Sequence, residues 1–210
     1  MGIEITIVDY GMGNFRSLLN ALNYVGARGN VSSDPNVISN ADAIILPGVG
    51  AFASAMQNIR SRNIEDALNE AIITRGRPIL GVCLGMQLLA TKGTEGSSER
   101  GLGWLKGSVE KIVYTDGLRL PHMGFNSVFY ENHDSSLFES IAQGADFYFV
   151  HSYHFKVKYP SDVLSITPYG DGFVSSVAKG NIMGVQFHPE KSQSNGLQLL
   201  SNFLRLCREF

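Results

Sequence analysis

The stretch Gly81-Val82-Cys83-Leu84-Gly85 constrains this chain more than any other part of it. The β-prone run Pro78 to Val82 leads into it, and helical spacing from about Leu84 to Ala90 leads out. A residue where a strand turns straight into a helix takes up a strained backbone. Glycines two positions before and two after let the strand and helix approach closely enough for the turn to close. Such a turn pushes its central side chain out at the carboxyl edge of an open α/β sheet, where these sheets hold their chemistry. The central side chain here is a cysteine. A free cysteine is most often a small buried core residue. On a strand-to-helix turn, with a helix N-terminus beneath it favouring thiolate over thiol, it is placed as a nucleophile. Cys207 lies in an amphipathic segment and reads as structural.

The first half of the chain repeats the same alternation. Ile3 to Val8 reads as a buried strand, followed by the tight glycine turn Asp9-Tyr10-Gly11-Met12-Gly13-Asn14. Ser17 to Val25 has helical apolar spacing at Leu18, Leu19, Leu22 and Val25. A strand is expected near Asn30 to Ser32 and another at Ala43 to Leu46, ended by Pro47-Gly48-Val49-Gly50. Helices are expected at about Ala51 to Ile59 and Ile64 to Arg75. Strands alternating with helices imply a parallel sheet covered on both faces.

The second half is punctuated by Gly, Asn, Asp and Ser. Its strand candidates are Val109 to Tyr114, Asn126 to Phe129, Phe147 to Ser152, Val163 to Thr167, Phe173 to Ala178 and Ile182 to Gln186. Their spacing suggests mixed or antiparallel strands folded back on the first half. A last helix, about Ser194 to Glu209, carries an apolar stripe of Leu199, Leu200, Phe203, Leu204 and Leu206. No repeat, low-complexity tract or linker is visible, and polar Gly93 to Gly101 reads as a mobile surface loop. The expected architecture is an open, mostly parallel α/β sheet with helices on both faces and extra antiparallel strands in the second half. With 210 residues, 44% of them hydrophobic, it is expected to form one domain, residues 1–210.

Charge and composition exclude several function classes. The 17 basic residues stand against 19 acids, a net charge of −2, which leaves no electrostatic footprint for nucleic acid. Apolar runs such as Ala43 to Leu46 fall far short of the ~20 residues of a membrane span. The start of the chain lacks the pattern of a secretory signal, and an alternating strand-like run follows Gly2, which argues against lipidation there. Two cysteines do not make a disulfide framework, so a cytoplasmic location is expected.

A thiolate nucleophile needs a base, and the base an orienter. The histidines are His122, His133, His151, His154 and His188. His188 is the best placed. It follows the strand Ile182 to Gln186, Pro189 fixes the backbone after it, and Glu190 stands two residues on, so both side chains can leave one short turn on the same side. A carboxylate there would hold the imidazole in one tautomer. The His, Cys and acidic residues show no tight zinc spacing, so neither metal nor cofactor is expected. Attack on a carbonyl develops an oxyanion, which backbone N–H groups stabilise. Leu84 can supply one, and the Pro47–Gly50 turn, through Val49 and Gly50, another.

Taken together, Leu-Pro-Gly-Val-Gly-Ala-Phe (46 to 52), Gly-Val-Cys-Leu-Gly-Met-Gln (81 to 87) and Gly-Val-Gln-Phe-His-Pro-Glu-Lys-Ser (184 to 192) resemble the class I, triad-type glutamine amidotransferases. Asp-Tyr-Gly-Met-Gly-Asn (9 to 14), Pro-His-Met-Gly-Phe-Asn (121 to 126) and Tyr-Phe-Val-His-Ser-Tyr (148 to 153) are similar to the glutaminase subunits of imidazole glycerol phosphate synthase, over about Ile3 to Leu206. The resemblance implies a Cys83-His188-Glu190 triad that hydrolyses L-glutamine to glutamate and ammonia. It implies substrate contacts from Gln87, from Glu95 to the amino group, and from the backbone near Ser152 and Tyr153, with Gly50, to the carboxylate. It also implies a heterodimer with a (β/α)8-barrel cyclase subunit. That subunit uses the ammonia to make imidazole glycerol phosphate and an aminoimidazole carboxamide ribotide in histidine biosynthesis. Asn14, Phe125, Tyr148 and Lys191 match positions facing that partner. Phe125 departs from the family, which commonly has tryptophan there. The loss of the indole donor leaves open a paralogous group that supplies ammonia to sugar amidotransferases of surface-polysaccharide synthesis. Other elbow-bearing cysteine hydrolases and a non-catalytic relative are the remaining alternatives.

Overall fold

The computed structural model describes residues 4–113, 118–130 and 136–210. Its first half runs β1 (Glu4–Val8), α1 (Phe15–Tyr24), β2 (Arg28–Ser32), α2 (Pro35–Ser39), β3 (Ala43–Leu46), α3 (Phe52–Ser61), α4 (Ile64–Asn69), β4 (Ile79–Val82) and α5 (Leu84–Leu88). The second half runs β5 (Lys92–Gly93), β6 (Glu99–Arg100), β7 (Gly107–Lys111), β8 (His122–Tyr130), β9 (Ala145–His151), β10 (Tyr153–Val157), β11 (Val163–Thr167), β12 (Phe173–Lys179), β13 (Ile182–Val185) and α6 (Gln193–Leu206).

Among the described residues the strands form a nine-stranded sheet, ordered β2-β1-β3-β4-β13-β12-β11-β8-β9, and a four-stranded sheet, ordered β10-β7-β5-β6. The large sheet is parallel from β2 to β13 and antiparallel from β13 to β9. Every residue of β3, β4 and β13 is buried, which is why these segments read as unbroken apolar runs rather than alternating ones. One face is covered by α3, α4 and the smaller sheet, around Ile59, Leu68 and Phe155. The other is covered by α1 and α6, around Leu22, Phe187 and Phe203. Of the stripe expected on the last helix, Leu199, Leu200, Phe203 and Leu206 are buried, and Leu204 packs partly buried at its edge.

Some expectations need correction. The five-residue α2, capped by Asp34, is too short to show a period, and the sequence reading passed over it. The helix expected from Ile64 to Arg75 gives way after Asn69 to a π-helical turn, Glu70–Thr74. The strand expected to run through Ser152 instead ends at His151. Ser152 is the crossing point from the large sheet to the small one, where β10 pairs antiparallel with β7. The stretch 93–101 is not an open loop. Its ends pair as β5 and β6, with Lys92 opposite Arg100 and Gly93 opposite Glu99. Tyr114, assigned to a strand, and His133 lie outside the described residues.

Candidate active site

β13 comes from the far end of the chain but inserts beside β4, parallel and in register, with Gly184 opposite Gly81 and Val185 opposite Val82. The segments that leave the carboxyl ends of these two strands therefore start side by side. Cys83 follows one and His188 follows the other.

Cys83 has φ 54° and ψ −109°, a conformation costly for any residue with a side chain. Close packing enforces it. A Cβ on Gly85 would lie 1.7 Å from the Leu46 carbonyl oxygen, and one on Gly81 2.8 Å from the Gly85 carbonyl group. Only glycines at both positions let α5 start this close to β3 and β4. The sulfur is buried, and its neighbours are Gln186 Nε2 at 3.7 Å and the Val150 carbonyl oxygen at 4.0 Å.

His188 Nδ1 lies 2.8 Å from Glu190 Oε1. An ionised carboxylate only accepts, so Nδ1 carries a proton and Nε2 is the nitrogen left for chemistry. Among the described residues, Nε2 and Glu190 Oε2 are buried without a formed hydrogen bond. Burial alone would make His188 harder to protonate, but Cys83 and Glu190 together outweigh it and carry its pKa up to about 10. The turn is held firmly. The His188 amide donates to the Tyr148 carbonyl, and the Ser192 hydroxyl donates to the His188 carbonyl while accepting from the Tyr148 amide. The first turn of α6 reaches this segment because residue 196 is glycine. A Cβ there would lie 1.8 Å from the Pro189 carbonyl oxygen.

A cavity of about 390 Å³ opens in front of Cys83, in the range of small-ligand sites. Val49, Gly50 and Leu84 line it, as do Gln87, Glu95, Ser152 and Tyr153. The residues assigned to an oxyanion hole and to a substrate pocket thus share one cavity with the cysteine. Leu84 is the first residue of α5, so its N–H has no intrahelical partner. Gly50 takes φ 111°, which suits glycine alone. Glu95 accepts from the Phe52 amide at 3.2 Å, and burial raises its pKa against that hydrogen bond. Its hairpin is tied to α3 by Arg60, which reaches Glu65 at 2.8 Å, Glu99 at 2.5 Å and the Arg100 carbonyl at 2.7 Å.

The residues assigned to a partner surface also cluster. Phe125 and Tyr148 are opposite each other across β8 and β9 with ring centroids 5.6 Å apart, and the Lys191 ammonium lies 5.6 Å from the Tyr148 ring. Asn14 and Lys191 border a second, much smaller cavity that His188, Glu190 and Val49 also line. Val49 lines both this cavity and the large one.

Sequence reasoning missed two residues here. Tyr10 is fully buried, and its hydroxyl donates to the Pro47 carbonyl at 2.8 Å, pinning the segment that carries Val49 and Gly50. A Cβ at Gly48 would strike that hydroxyl at 1.9 Å. The other is Gln186, two residues before His188. Of the remaining histidines, His122 and His151 form a buried relay. His151 Nδ1 donates to the Tyr153 carbonyl and its Nε2 accepts from His122 Nδ1, at 2.9 Å each. Burial pushes their pKa values down to about 4 and about 3, so both are neutral.

A parallel-to-antiparallel sheet with a cysteine elbow, and a His-Glu pair on the neighbouring strand end, defines a class of enzyme, and comparison with known proteins names it. The family model for class-I glutamine amidotransferases matches residues 6–207, and the chain belongs to that family. Its relatives include the imidazole glycerol phosphate synthase subunit HisH of Symbiobacterium thermophilum, 46% identical over 97% of this chain and 94% of that one. The HisH subunit of Aquifex aeolicus is also 46% identical, over 97% of each chain. A crystal structure of a glutamine amidotransferase superposes with a TM-score of 0.75 over 97% of this chain and 98% of that one. At 22% identity that likeness speaks for the fold alone.

Proposed function

We propose that this chain is the glutaminase subunit of imidazole glycerol phosphate synthase, a single domain that releases ammonia from glutamine through Cys83, His188 and Glu190. The observation that carries the reading is the register of β13 on β4, which sets His188, with Glu190 2.8 Å behind it, beside Cys83. Near-full-length identity to HisH subunits favours this pathway over the polysaccharide paralogue.

In this mechanism the Cys83 thiolate attacks the side-chain amide carbon of glutamine. The N–H groups of Leu84 and of the Val49–Gly50 segment hold the oxyanion, and preorganised donors of this kind are usually the largest catalytic contribution. His188 Nε2 delivers a proton to the departing nitrogen, and ammonia leaves. His188 then takes a proton from water, which attacks the γ-glutamyl thioester, releasing glutamate and restoring the thiolate. Glu190 holds the imidazole in the tautomer both steps need. Gln87, Glu95 and the Ser152–Tyr153 backbone bind the amino-acid end of the substrate. Ammonia passes beside Val49, which lines both cavities, toward Asn14 and Lys191, where the partner, a (β/α)8-barrel cyclase, receives it within a heterodimer. Phe125 and Tyr148 form the aromatic part of that contact.

The test is glutamine hydrolysis by this chain mixed with the cyclase of the same genome, with and without the cyclase's ribulosyl ligand. Strong ligand-dependent stimulation is expected. No complex and no stimulation would move the ammonia to another acceptor, with a sugar amidotransferase the next to try.

A further inference from the structure

The geometry points to Gln186 as a further catalytic residue, a buried amide donor that hydrogen-bonds the Cys83 thiolate and is aimed at it by Gln87. The inference rests on the reading of Cys83 as the nucleophile.

Gln186 has no solvent exposure, and its amide Nε2 lies 3.7 Å from the Cys83 sulfur, within hydrogen-bond range for sulfur. Which end of an amide faces a partner follows from the network around it. Here the network has a fixed starting point. The Tyr153 carbonyl oxygen can only accept, so the end of Gln87 that lies 2.9 Å from it is the NH2 group. That same NH2 lies 3.0 Å from the Gln186 side chain, so the Gln186 atom facing it is the carbonyl oxygen. The remaining end of Gln186, its NH2, faces the sulfur. Every step in the chain from Tyr153 to Cys83 is set in one direction. The start is anchored too: His151 Nδ1 donates to the same Tyr153 carbonyl, and the Gln186 backbone amide is held by the Ser175 carbonyl.

The Val150 carbonyl and the Gln186 amide act oppositely on the sulfur. The Val150 carbonyl can accept only from the thiol. The Gln186 amide donates, and a donor favours the charged form. That donor matters because α5, Leu84–Leu88, spans only five residues and offers a short macrodipole. Among the described residues, Tyr10 and His188 are titratable groups near enough to Cys83 to interact with it, with Glu190 behind His188. Tyr10 is neutral there through burial. Beside the sulfur stand a cation, His188, and a neutral donor, Gln186. The chain also links the nucleophile to the backbone proposed to hold the substrate carboxylate. Substrate seated against Tyr153 bears on the same network that orients the donor.

The test follows alkylation of Cys83 by iodoacetamide against pH in the full chain, with labelling assigned to Cys83 by peptide mass mapping and folding checked by thermal melting. Gln186→Met keeps the length of the side chain and removes the donor. The acid limb of its profile is expected to move up by about one pH unit, an approximately tenfold slower reaction at mildly acidic pH. A folded Gln186→Met whose profile overlays the wild type overturns the proposal. Should that variant fail to fold, Gln87→Met decides, since it leaves Gln186 in place and removes its orienter. A shift in the same direction supports the proposal, and an unchanged profile overturns it. Failure of the nucleophile reading would look different: the wild-type protein would hydrolyse glutamine while Cys83 could be blocked without loss of activity.

Discussion

The Cys83 amide donates to the Val185 carbonyl at 2.8 Å, so the peptide of the proposed nucleophile is itself a rung of the ladder that joins β4 to β13. The cysteine and the segment carrying His188 are thus tied together by backbone, before any side-chain contact between them. A change that parts these two strands should therefore abolish chemistry and stability together, whereas changes in the surrounding loops should separate the two.

Gly85→Ala tests the first half of that statement. Its methyl group would sit 1.7 Å from the Leu46 carbonyl oxygen, backbone that cannot swing aside. Overpacking of this kind costs about 1–3 kcal/mol. Urea denaturation should show at least that loss, and glutaminase activity should vanish as α5 and Cys83 are displaced. A fully stable, active variant would mean that the elbow relaxes at little cost.

Tyr10→Phe should leave the fold nearly intact and slow the reaction. It removes the hydrogen bond to Pro47 and frees the segment that carries Val49 and Gly50. Loss of an oxyanion donor outright costs about 100-fold or more in kcat. Loosening it through one missing anchor is expected to cost roughly tenfold, with KM little changed. Steady-state kinetics of the complex with the cyclase would read the split, and an effect confined to KM would contradict the role assigned to Tyr10.

Arg60→Gln should show the reverse split. Arg60 joins α3 to the hairpin that carries Glu95, and its ion pairs are partly exposed. Pairs of this kind contribute only about 0.2–1 kcal/mol. KM for glutamine is expected to rise by a few-fold, with kcat unchanged. A drop in kcat at constant KM would remove Glu95 and its hairpin from the substrate side of the site.

Stability should carry a pH signature of His188. Its folded pKa, about 10, lies above the ordinary 6.5. A raised value means that the protonated form is the one the folded state favours. Its contribution is therefore complete below about pH 6.5 and is lost as pH rises through about 10. Thermal melting of wild type and His188→Gln across this window should show the gap between them closing with rising pH. A constant gap would mean that His188 is not held protonated by Cys83 and Glu190.

The lengths and kinds of the central elements could be read from the chain because they are local. The runs at Ala43 to Leu46, Pro78 to Val82 and Ile182 to Val185 hold no polar side chain because both faces of each strand are buried. The elbow at Cys83 and the His188-Glu190 turn are short enough for their spacing to carry their chemistry. Elements below the length of a period, such as α2, or marked by a change of sheet rather than of composition, such as β10 after Ser152, left no such trace.

The sequence by itself determined the strand-to-helix turn at Cys83 and the His188-Glu190 turn that the proposed chemistry uses, since each depends on residues within a few positions of one another. Tertiary structure alone decided that β13 lies against β4, that Tyr10 reaches Pro47, and that Gln87 aims Gln186 at Cys83. These contacts join residues 37 and about a hundred positions apart. They exist because buried amides and carbonyls must find partners wherever the folded chain brings them together, and a periodicity read along the chain holds no information about that.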